Sequence, residues 1–91
     1  MIQEVLTVRN RLGLHARAAA KLVRLAMGFR SRIWLCRADA QDAVEGVSIL
    51  GILMLAAAQG ARITVAAEGV DEAEAMVAIR GLFEGRFGEE S

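Results

Sequence analysis

The chain has 91 residues and a mass of 9.8 kDa, which leaves room for one hydrophobic core and excludes a two-domain enzyme or a large cofactor-binding fold. At 55% hydrophobic and 24% charged it is too apolar for a disordered segment, and eleven basic against eleven acidic residues argue against a dedicated nucleic-acid or polybasic membrane binder. The balance is uneven, with eight basic and one acidic residue in Met1–Arg37 and three basic and ten acidic in Ala38–Ser91, so a positive patch facing an acidic partner is still compatible with zero net charge.

The opening residues, Met1 to Thr7, lack the basic and apolar regions of a secretion signal, which predicts a cytoplasmic protein. Residues 2–8 are rich in β-branched side chains and run into the turn cluster Asn10-Arg11-Leu12-Gly13, the pattern of a strand. From Arg17 to Met27, apolar Ala19, Leu22, Val23 and Ala26 fall at helical spacing, while Arg17, Lys21 and Arg24 share the opposite face. This predicts a helix that buries one stripe and displays three cations. Residues 31–37 alternate as a second strand, and Ala38–Ala43 read as a turn into a short third strand near Val44. The single cysteine, Cys36, has no partner for an internal disulfide.

The uncharged stretch Gly46–Ala61 is too short and too rich in Gly, Ser and Gln for a membrane span. Its run Ser48–Ala58 predicts a core helix, with Ser48 as N-cap and Gly60 as its stop. Residues 62–67 supply a fourth strand. The last element opens at Asp71 with Glu74 three residues on, an Asp-led analogue of the capping box, and carries Ala75, Met76, Ile79, Leu82 and Phe83 on one face before Gly85 and Gly88. Phe87, beyond that helix, has no assigned environment. The order βαββαβα predicts one α+β domain over residues 1–91, an open-faced sandwich of a four-stranded antiparallel sheet with three helices on one face.

His15 is the only histidine and lies between the Gly13 turn and the basic helix. A helix start offers unpaired N–H groups and the positive end of the macrodipole, so an anion held on His15 meets the amides of Ala16, Arg17 and Ala18 and the Arg17 guanidinium. Neutral imidazole is a nucleophile near pH 7, which makes His15 a candidate phosphoryl acceptor or general base. A surface or capping histidine fits the same residues. A metal site has only Cys36 as a further soft ligand and no supporting spacing.

Asn10-Arg11-Leu12-Gly13-Leu14-His15-Ala16-Arg17, followed by Ala19-Ala20-Lys21, resembles the active-site signature of the HPr family, the histidine-containing phosphocarriers of the bacterial phosphoenolpyruvate:sugar phosphotransferase system. Val44–Gly51 and Leu55–Gly60 are similar to that family's regulatory-serine segment. The resemblance implies that His15 is phosphorylated on Nδ1 by enzyme I and passes the group to an enzyme IIA partner, with Arg17 screening charge during transfer. It thus implies a carrier that passes through phosphohistidine, with no cofactor, rather than a free-standing enzyme. Lys21, Arg24, Ile49, Leu50 and Leu53 would form the docking patch, and the same residues also fit a solvated basic face and ordinary core. Ser48 matches the serine that an HPr kinase/phosphorylase modifies, and its hydroxyl equally fits a helix cap.

Two positions depart from the family pattern. Ala18 stands where proline usually follows the active-site arginine, which loosens the helix start rather than removing the nucleophile. Val47 stands where many members have lysine, which weakens recognition of Ser48 by a kinase. Three other readings compete with a monomeric carrier for sugar uptake: a carrier in a nitrogen-type regulatory relay, a module that binds a regulator without transferring phosphate, and a nucleic-acid binder. The last has only Trp34 as a stacking platform on its strands.

Overall fold

The computed structural model describes all 91 residues and contains, in chain order, β1 (Ile2–Thr7), α1 (Ala16–Ala26), β2 (Arg32–Arg37), β3 (Val44–Glu45), α2 (Ile49–Met54), β4 (Arg62–Glu68) and α3 (Glu72–Glu84). The strands pair antiparallel in the order β1-β4-β2-β3, the expected α+β arrangement. Alternation along β1, β2 and β4 turns Leu6, Ile33, Leu35, Ile63 and Val65 to one face, where they meet Leu22 of α1, Ile52 of α2 and Ile79 of α3 in a single buried cluster. The opposite face carries Trp34, half-buried, with the Arg32 guanidinium 5.0 Å above its ring. The one aromatic platform of the strands is therefore already covered.

Because β4 lies between β1 and β2, the acidic half of the sequence threads through the basic half. Arg80 of α3 makes a two-pronged pair with Glu4 of β1 at 2.7 and 2.9 Å, and Arg32 pairs with Glu45 at 2.8 Å. Only the second of these pairs sets a base of the basic half against an acid of the acidic half; Glu4 and Arg80 are the minority charges of their halves.

Two local expectations are corrected, and one open position is settled. The helix expected over Ser48–Ala58 ends at Met54, because Ala56 turns to φ 51° and the Ala57 carbonyl accepts from Leu14 N (2.9 Å) instead of continuing the ladder. The Arg37 guanidinium donates to the freed carbonyls of Leu55 (3.1 Å) and Ala56 (3.4 Å). At α3 the capping box does not form. Asp71 sits at φ −115°, ψ 30° rather than extended, and its carboxylate accepts from Arg30 N (2.8 Å), Ser31 N (2.9 Å) and Ser31 Oγ (2.5 Å). It ties the α1–β2 connection to the helix start. Beyond α3, a tight turn over Arg86–Gly88 carries Arg86 at φ 56° and Phe87 at φ 54°. Phe87 is fully buried, its ring 5.0 Å from that of Phe83, and burial of a side chain of that size contributes about 2 kcal/mol.

Candidate functional site

The loop before α1 is fixed from three sides. Gly13 has φ +69°, and a Cβ there would lie 2.4 Å from the Ala57 carbonyl oxygen, so only glycine permits this approach. Leu14 is buried beside it, and the fully buried Asn10 donates from Nδ2 to Gly13 O at 2.8 Å. The chain then enters His15 at φ −76°, ψ −179° as the N-cap of α1.

The two ring nitrogens of His15 meet opposite partners. Nδ1 accepts from Arg17 N at 3.3 Å, and Nε2 contacts Glu89 Oε2. A backbone N–H only donates and an ionised carboxylate only accepts, so the partners assign the proton to Nε2 and leave the lone pair on Nδ1. The side chain stays 26% exposed, against 14% for Glu89. The Asn10 amide, followed by the His15 ring, holds the Glu89 carboxyl below the usual carboxylate range, and Arg17 adds a weaker pull in the same direction.

Around this pair the helix start offers the exposed residues Ala16 and Arg17, whereas Ala18 is fully buried. Arg24 is exposed on the next turn. Lys21 is not free: its Nζ donates to Phe87 O at 2.6 Å. On α2, packed beside α1, the apolar residues Ile49, Leu50 and Leu53 are exposed, together with Leu12, Val47 and Met54, which the sequence did not assign to docking. A shallow hollow of about 240 Å³ between Leu12, Leu14, His15 and Ala56–Ala58 connects the histidine to this apolar surface. Ser48 Oγ accepts from Gly51 N at 3.0 Å and caps α2. Cys36 lies on β2, its thiol 3.7 Å from Ala40 O, and no group of three His, Cys, Asp or Glu side chains is gathered to hold a metal ion.

Glu89 is the site residue that sequence reasoning missed. Its only signal is an acidic pair, Glu89-Glu90, beyond Phe87 in a chain whose histidine lies in a basic segment.

Residues 2–85 match the family model described as PTS HPr component phosphorylation site. Phosphocarrier protein HPr of Cupriavidus necator is 47% identical over 89 residues, 98% of each chain. Phosphocarrier protein NPr of Escherichia coli strain K12 is 38% identical over 89 residues, again 98% of each chain. The crystal structure of HPr-C-His from Thermoanaerobacter tengcongensis aligns over the whole of both chains with a TM-score of 0.92 at 41% identity.

Proposed function

The chain belongs to the HPr family of phosphocarriers of the phosphotransferase system, and from that premise we propose that His15 accepts a phosphoryl group from phospho-enzyme I and hands it to an enzyme IIA domain in sugar uptake. The single observation that carries this reading is the orientation of His15, with Nδ1 unprotonated at the start of α1 and Nε2 occupied by Glu89. In the transfer the Nδ1 lone pair attacks phosphorus. The new N–P bond forms as the donor's N–P bond breaks, and the released electron pair returns to the donor imidazole. The amides of Ala16 and Arg17 and the Arg17 guanidinium receive the phosphate oxygens, a set of donors that stabilises the dianion without trapping it. The Ala18 amide, the third expected donor, has no acceptor within the chain but belongs to a fully buried residue, which makes it the least accessible of the set.

Docking falls to Arg17, Arg24 and the exposed apolar residues Ile49, Leu50 and Leu53, with Leu12 beside the histidine. Lys21 gives one of its three N–H donors to Phe87 O and keeps the others for a partner at the edge of this surface. Such an interface is small and transient, as a monomeric cytoplasmic carrier meeting successive partners requires. We assign Ser48 first to capping α2: Val47 beside it supplies no cation, so modification by an HPr kinase/phosphorylase is the secondary role.

The likeness to Escherichia coli NPr supports a second reading, a regulatory relay in place of sugar transport. Both rest on incubation with phosphoenolpyruvate and enzyme I. The expected result is an acid-labile gain of one phosphate on the native chain and none on His15→Ala. The label then moves to a sugar-specific enzyme IIA in the first reading and only to a regulatory enzyme IIA in the second. No label from a demonstrably active enzyme I overturns both and leaves a module that binds without transferring phosphate.

A further inference from the structure

The segment after α3 reaches His15 through contacts that exceed what packing the end of a helix needs. Phe87 is fully buried, Lys21 Nζ clamps its carbonyl at 2.6 Å, and Arg11 N donates to Ser91 O at 2.9 Å. At the first of these anchors Arg86 and Phe87, neither of them glycine, hold left-handed backbone angles, each unfavourable for an L-residue. Gly88 follows at φ +78°, where a Cβ would lie 2.9 Å from Lys21 Nζ. Asn10 Nδ2 meets Glu89 Oε1 at 3.0 Å while Asn10 Oδ1 is buried with no donor. Turning the amide over would set its oxygen against two acceptors, Gly13 O and Glu89, so the observed orientation is the only one that serves both. Strained backbone and an orphaned buried oxygen are local costs, and they converge on one outcome, the Glu89 carboxylate held against His15 Nε2.

We propose that Glu89 is a positioning residue for phosphoryl transfer, which holds the His15 ring through Nε2–H and compensates the positive charge that the ring gains when Nδ1 bonds to phosphorus. This rests on the carrier reading of His15. The ring nitrogens point away from each other, so a phosphoryl group on Nδ1 does not displace Glu89. A neutral imidazole with its proton on Nε2 becomes, once Nδ1 is bonded to phosphorus, a cationic ring with that proton still in place. A carboxylate on Nε2–H therefore interacts more strongly with the product, and with the transition state leading to it, than with the free ring. This is the role that a buried carboxylate plays behind a catalytic histidine: it fixes the tautomer and orientation and stabilises the imidazolium without taking the proton.

The experiment compares the native chain, Glu89→Ala and Glu89→Gln in two measurements. Proton–nitrogen NMR of the His15 ring reads the Nε2–H directly. Rapid quench with labelled phospho-enzyme I reads the transfer rate. The native chain is expected to show a downfield, slowly exchanging Nε2–H resonance, retained in Glu89→Gln, which keeps a neutral acceptor, and lost in Glu89→Ala. Transfer to Glu89→Ala is expected to be about tenfold slower, the size of one charge-assisted hydrogen bond in a partly wet site, with Glu89→Gln between the two. A purely structural tail would give Glu89→Gln the native rate. Native transfer into Glu89→Ala, or an unchanged Nε2–H resonance in that variant, overturns the positioning role and leaves the carrier reading intact. A native chain that takes no phosphate overturns both.

Discussion

Asn10 Nδ2 stands 3.0 Å from Glu89 Oε1 and 2.8 Å from Gly13 O, so one buried amide joins the loop before the histidine to the segment that follows α3. Removing it leaves the Gly13 carbonyl and the Glu89 carboxylate each short of a donor. Asn10→Ala is expected to lower stability by about 1–3 kcal/mol, the cost of an unmade buried hydrogen bond, read from the urea midpoint at unchanged slope. Asn10→Asp places a second carboxylate beside Glu89 with no hydrogen to share at neutral pH. Its loss is therefore expected to be larger than that of Asn10→Ala at pH 7. A loss in Asn10→Asp no greater than that of Asn10→Ala would contradict this geometry.

The acid side of the stability curve has a defined sign. Asp71 is held below its ordinary value of 3.8, first by the Ser31 hydroxyl and then by the Arg30 amide. Glu89 is held below its ordinary 4.5, first by the Asn10 amide and then by His15. Glu4 is lowered by Arg80. A depressed carboxyl binds protons more weakly folded than unfolded, so its contribution is complete above the unfolded value and lost as pH falls through the folded one. The melting temperature is expected to be level above about pH 5 and to fall below pH 4.5, where unfolded carboxyls begin to protonate. Asp71→Asn is expected to melt several degrees lower at pH 7 and to fall less steeply in acid. An acid limb of equal slope in the variant would remove Asp71 from this account.

The elements were legible in the sequence where one periodicity dominates. The stripe of Ala19, Leu22, Val23 and Ala26 marks α1, and the runs around Ile33 and Ile63 mark β2 and β4. Ser48 was legible as a cap because its hydroxyl acts within three residues of itself. What failed depends on contacts distant in the chain. Ala56–Ala58 carry helix-forming side chains, and only the Leu14 amide and the Arg37 guanidinium, both remote in sequence, divert their backbone. Asp71 has the spacing of a cap, but the Arg30–Ser31 connection offers its carboxylate three donors. Glu89 is the sharpest case: it meets His15 across a separation of 74 positions in the chain, and no local pattern carries that.

Ser48 separates a structural effect from a charge effect at the start of α2. Its Oγ accepts from Gly51 N at 3.0 Å, and α2 has only six residues over which to share the loss. Ser48→Ala is expected to cost about 1 kcal/mol, the usual value of an N-cap. Ser48→Asp keeps an acceptor and adds a negative charge at a helix start, so its stability is expected to stay within about 0.5 kcal/mol of native. A slower transfer to enzyme IIA in Ser48→Asp alone would then report repulsion of an acidic partner and not a disordered helix. Equal losses of stability in the two variants would show that the hydroxyl is not the cap.

Ala18 tests whether the departure from the family's proline affects the fold or the chemistry. It is the third residue of α1, and its amide finds no acceptor within the chain: Arg17 N turns to His15 Nδ1 and the helical ladder starts with Ala19 N on His15 O. The residue is fully buried, so that N–H is also shielded from water. Proline removes the unpaired donor and narrows the unfolded ensemble, a gain of about 0.4–1 kcal/mol at a compatible position. Its ring normally clashes with the carbonyl four residues back, but Leu14 lies outside the helix because His15 is extended. The preceding Arg17 must stay helical, which proline disfavours, and this sets the expected gain toward the lower end of that range. Ala18→Pro is therefore expected to raise the urea midpoint modestly and to leave the hydrolysis rate of the phosphohistidine unchanged, since the Ala16 and Arg17 amides remain. Faster hydrolysis in the variant would instead make the Ala18 amide a phosphate ligand, and a fall in stability would mean that the core around Ala18 has no room for the ring.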